Sequence, residues 1–102
     1  MAKNSRSYKE GLLKRLRASE DLQIEYLRAA AEDADTPEVF LRALRDVVEA
    51  RGFSDFAKDS DLNREHLYRL LSKKGNPKFD SFIKILNALG IEMTFQKKSK
   101  AG

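Results

Sequence analysis

The 102-residue chain has no cysteine and no tryptophan, only two prolines, and a single histidine. Without cysteine there is no disulfide, no thiol nucleophile and no thiolate metal site. His66 has no second histidine to share a metal, and its neighbour Glu65 leaves the same helix in another direction, so it reads as a surface residue and no metal site is expected. Long apolar runs are also missing, so no membrane span is expected. The start, MAKNSRSYKEG, lacks the apolar segment of a secretory signal, which makes a cytoplasmic protein the expectation. No nucleophile with a base, phosphate loop or opposed carboxylate pair can be assembled, so the chain reads as a non-enzyme without cofactors.

Charge is plentiful. Charged residues make up 35% and hydrophobic residues 41%, ordinary for one small helix-rich domain, and the net charge is +4. Its distribution is uneven. Residues 1–20 carry six basic and two acidic side chains, whereas residues 21–51 carry four basic and eight acidic. Residues 52–75 are near balance with five and four, and residues 76–102 are basic again with five and two. Basic ends can meet DNA phosphate, and an acidic middle can meet a basic partner.

Residues 52–75, GFSDFAKDSDLNREHLYRLLSKKG, hold two short helical patterns around a polar break. Ser54 reads as the cap of the first, with Phe56 and Ala57 inward. Asn63 caps the second, whose Leu67, Leu70 and Leu71 fall at i, i+3, i+4. A small Ala57 lets the helices cross closely and Leu62 fills the corner, which is helix-turn-helix geometry. With those leucines inward, steps of 100° per residue turn Glu65, Tyr68, Arg69 and Ser72 outward and leave Arg64, His66 and Lys73 on the flanks. Such a face suits double-stranded DNA. Arg64, Glu65, Tyr68 and Arg69 are expected at base edges, and Ser54, Asn63, Ser72, Lys73 and Lys58 near phosphate. The alternative is an ordinary solvated helix.

Elsewhere, residues 1–18 read as a basic arm or a frayed helix, with Tyr8, Leu12, Leu13 and Leu16 at helical spacing interrupted by Gly11. Ser19 caps a helix with two adjacent apolar stripes, Leu22/Tyr26/Ala30 and Ile24/Leu27/Ala31. Thr36-Pro37-Glu38 opens another, which carries Phe40, Leu44, Val47 and Val48 inward and stops at Gly52. After Gly75-Asn76-Pro77, a last helix is expected from Phe79 to Leu89, with Phe79, Phe82, Ile83, Leu86 and Leu89 inward. Ile91, Met93 and Phe95 then alternate with polar residues, which reads as a β-strand over 91–95. A lone strand cannot satisfy its own backbone, so pairing with a second copy is expected, making Ile91, Met93 and Phe95 dimer-interface candidates; docking as an irregular tail is the alternative. Residues 97–102 read as a disordered basic tail, and residues 19–96 as one domain with its motif at 53–73.

The Phe40 to Leu89 span resembles the lambda-repressor-like (Cro-like) helix-turn-helix domain. From Tyr8 to Phe95 the chain is similar to addiction-module antidote proteins, the antitoxins of bacterial toxin–antitoxin pairs. EYLRAAAEDAD, FLRALRDVVEARG and LNREHLYRLLSKKGNPKFDSFIKILNALGI carry the resemblance. It departs at Asp61, where the turn usually has Gly, and at Asp55, an acid where phosphate would approach. The expected fold is all-α, a lambda-repressor-like bundle of about five helices, with the short C-terminal β-strand read from the alternation over 91–95. The implied function is a homodimeric repressor that binds its operator and neutralises a small basic, messenger-RNA-cleaving toxin. Toxin contacts are then expected in the N-terminal half, at Tyr8, Leu12, Leu16, Glu25 and Glu32. A prophage-type repressor without a toxin, and an interaction protein with little DNA binding, are the other readings.

Overall fold

A computed structural model describes residues 2–32, 36–72 and 76–98, with side chains from residue 6 onward. Among the described residues six helices follow one another: α1 (Ala2–Ala18), α2 (Glu20–Glu32), α3 (Pro37–Arg51), α4 (Phe53–Ser60), α5 (Arg64–Leu70) and α6 (Phe79–Leu89). The all-α class holds. The count exceeds the expected five because residues 2–18, expected as an arm or a frayed helix, form a helix that packs on the rest: Leu16 is fully buried, with Leu12 and Leu13 packed beside it. Gly11 within the pattern did not stop the helix.

α3 is the centre. α1 and α2 lie against it, and α4 leads from its end to α5 and α6. Leu44, Val47 and Val48 of α3 are fully buried in one cluster that runs from Leu16 and Leu27 to Ile85 and Leu89. Local chemistry sets the boundaries. The Ser19 hydroxyl accepts the Leu22 amide at 3.1 Å and starts α2. Gly52, at φ +97°, ends α3 by donating to Val48 and Glu49 and leads directly into α4. Direct entry corrects the expected cap: α4 begins at Phe53, whose ring is buried, and Ser54 is an exposed second residue.

Asp61 adopts the left-handed conformation that its turn requires (φ +61°, ψ 29°), and the amide of Leu62 reaches back to the Ala57 carbonyl. Asp is among the few non-glycine residues that do this at modest strain. Leu62 is half-buried against the core, and the Asn63 side chain caps α5 by accepting the His66 amide at 2.7 Å.

The expected β-strand is absent: among the described residues there is none, and 91–98 are irregular. The alternation had another origin. Ile91 closes α6, its amide bonding the Leu86 carbonyl at 2.9 Å beside left-handed Gly90 while its side chain packs on the core. Beyond it, Met93 and Phe95 are exposed. Phe79 was expected inward but is 70% exposed; Ile85, fully buried, takes the inward place with Phe82, Leu86 and Leu89.

Candidate nucleic-acid interface and partner face

α5 is seven residues long and turns Arg64, Glu65, Tyr68 and Arg69 to solvent. Tyr68 is less free than its position on the helix implies. Its ring stacks on Phe53 of α4, centroids 4.0 Å apart and planes within 9°, leaving it 37% exposed. The guanidinium groups of Arg45 and Arg64 lie 5.7 and 5.8 Å from the same ring centroid, within reach of a cation–π attraction. A shallow cleft opens here, where Arg45 and Arg64 face Ser54 and the start of α4. First-turn amides of a helix have no intrahelical partner, so this corner combines free N–H groups with two cations. Glu49 and Asp55 line the cleft too and reduce its positive potential.

The remaining candidates divide. Asn63 and Ser72 are already engaged, Asn63 by its cap and Ser72 by donating its hydroxyl to the Arg69 carbonyl at 2.9 Å. Lys73 lies outside the described residues. Arg45 and Phe53 were missed by sequence reasoning. Phe53 had a signal, since it begins an i, i+3, i+4 set with Phe56 and Ala57; Arg45 had none, because only tertiary packing brings α3 beside Tyr68.

The expected toxin contacts separate in the same way. Tyr8, Glu25 and Glu32 are exposed, but Leu16 is fully buried and Leu12 packs against the core, so neither offers its side chain as a free surface. The acidic residues of α3 are also partly occupied within the chain. Tyr26 of α2 donates to the Asp46 carboxylate at 2.7 Å, and Lys9 of α1 lies 3.5 Å from Asp46 and 3.4 Å from Glu49. Arg45 completes the row, 3.3 Å from Glu49. Burial pushes the Tyr26 phenol far above its ordinary value, and the carboxylate it bonds pushes it further.

A second polar node went unread in the sequence. Gln23 is buried midway between the two apolar stripes of α2. Its amide donates to the Leu16 carbonyl at 2.7 Å and its oxygen accepts twice from Arg51, at 2.7 and 2.9 Å, while Arg51 also reaches the Leu89 carbonyl. Arg17 adds a 2.7 Å bond to the Ala50 carbonyl. The C-terminal ends of α1, α3 and α6 are thereby joined, with one last-turn carbonyl of each met by a side-chain donor.

Residues 11–97 match the family model described as "probable addiction module antidote protein". An uncharacterized protein of Haemophilus influenzae is 37% identical over 82 residues, covering 80% of this chain and 82% of that relative. No solved structure matches the chain. With the match covering most of its length, the chain belongs to the addiction-module antidote family.

Proposed function

We propose that this antidote is also a DNA-binding repressor: α4 and α5 form a helix-turn-helix of the lambda-repressor-like kind, α5 reads the operator of its own operon, and two copies act together in the bacterial cytoplasm. The observation that carries this reading is the exposed Arg64 and Arg69 pair on a helix held by the Asn63 cap and the left-handed Asp61 turn. An arginine can fork onto guanine, and a rigid turn fixes where it points. Tyr68 is held by its stack on Phe53, so Arg64, Glu65 and Arg69 contribute the base contacts and Tyr68 the shape. Arg45, Ser54 and the first-turn amides of α4 take phosphate, and Lys73 is assigned there as well.

Family membership implies a toxin partner, and its proposed seat is the α1–α2 ridge with Tyr8, Glu25 and Glu32. A small basic toxin that cleaves messenger RNA suits those carboxylates. The acids Asp55, Asp59, Asp61 and Glu65 around the DNA face favour a second reading, an antidote that only neutralises its partner.

Binding to the protein's own promoter fragment separates the two. Arg64→Ala and Arg69→Ala should each cost about 1–3 kcal/mol and relax specificity at one base pair. Wild-type affinity in the double variant at physiological salt would remove α5 as the reader.

A further inference from the structure

Four apolar side chains near the C-terminal end have no role in the core or in the sites above. Phe79 is 70% and Phe95 88% exposed, Met93 is exposed, and Ile83, one turn after Phe79, is only half-buried. Of these, Met93 lines a groove between α2, α3 and α6, walled by Ile24, Ala31, Phe40, Phe82 and Leu86 and edged by the segment after Gly90. Phe40 and Phe82 meet edge to face there, centroids 6.0 Å apart, leaving an aromatic-lined hollow. Met93 and Thr94 lie on its rim, yet the ring that follows them points into water, so this chain's own Phe95 does not fill its own groove.

We infer that a second copy of this chain covers this face, with Phe95 of each copy seated in the groove of the other and the Phe79–Ile83 edges of the two α6 helices meeting across the two-fold axis. No strand pairing is involved; side chains make the contact. This deepens the homodimer reading given above and rests on it. Self-complementarity favours a second copy over another partner. Phe95 follows directly on Met93 and Thr94, which line the hollow, so knob and hollow are neighbours and reciprocal insertion can close at two copies instead of propagating. The area is adequate. Phe79 and Phe95 leave roughly 300 Å² of aromatic surface in water per copy, and the four rings with the walls they cover remove roughly 1,200 Å², where stable interfaces begin.

Light scattering and sedimentation on the full chain at tens of micromolar, roughly where weak dimers assemble, test the assignment. Wild type should be a dimer, and Phe79→Glu/Phe95→Glu should dissociate at least about tenfold more readily with unchanged helix content, since both side chains are mostly in water. A variant as dimeric as wild type would overturn this surface while leaving the homodimer intact. A monomeric wild type would overturn both. Arg64→Ala/Arg69→Ala should remain dimeric, which separates a failed DNA reading from a failed pairing surface. Protection of the groove only when a toxin is added would give the face to the toxin instead.

Discussion

Gln23 ties α2 to both α1 and α3, because its amide meets both the end of α1 and the Arg51 guanidinium. Gln23→Leu keeps the volume but leaves a buried carbonyl and a charged group short of partners. About 2–4 kcal/mol of stability should be lost in urea unfolding, more than a surface change could cost. Tyr26 makes the complementary case at its pH limit. Its phenol is held protonated well above the ordinary value of 10, so its contribution is complete below pH 10 and falls as the pH climbs above it. Tyr26→Phe should cost about 1–2 kcal/mol at neutral pH, and the gap between variant and wild type should narrow above pH 10; a gap that stays constant would dissociate the phenol from the stability. Tyr26 was legible as part of an apolar stripe, which packs against the core, but its bond to Asp46 was not, and Gln23 was not legible as structural. Gln23 lies on the line between two apolar stripes, where the pattern indicates only that something faces inward, and the partners of both come from helices distant in sequence.

Element boundaries were the most legible part, because caps are local chemistry. Ser19, Asn63, Gly52 and Gly90 act at the ends where their side chain or backbone suits them, and Asp61 occupies the left-handed turn expected of it. Errors arose where packing overrode pattern. Phe79 satisfies the helical spacing of α6 but is mostly exposed, and Ile91–Phe95 alternates without a neighbouring strand among the described residues to pair with. α1 is the largest revision. Its charge suggests a detachable arm, yet Leu16 completes the core over α3, and a Leu16→Ala change should cost about 2–5 kcal/mol. Removing residues 1–18 should therefore lower the thermal midpoint sharply and expose apolar surface, detectable by circular dichroism and dye binding. A truncation that melts like the full chain would return α1 to the status of an arm.

Across the whole molecule, the acidic block of residues 21–51 proved only partly free. Asp46 and Glu49 are neutralised from within by Lys9 and Arg45, and the outward acidic face reduces to residues such as Glu25 and Glu32. The row has a further property: Lys9 of α1 touches Glu49, Glu49 touches Arg45, and Arg45 sits over Tyr68, so the N-terminal helix adjoins the proposed DNA face through three contacts. Glu49 is the member whose charge opposes phosphate. Glu49→Gln removes that charge and releases Arg45 from its 3.3 Å tether, so DNA binding should tighten several-fold and the slope of log affinity against log salt should steepen by up to about one. Arg45→Ala should shift both quantities the other way, and because surface ion pairs contribute little, neither change should move the unfolding midpoint by more than about 1 kcal/mol equivalent. If Glu49→Gln and Arg45→Ala bind DNA alike, Arg45 makes no phosphate contact, and the cleft beside Tyr68 lies outside the footprint.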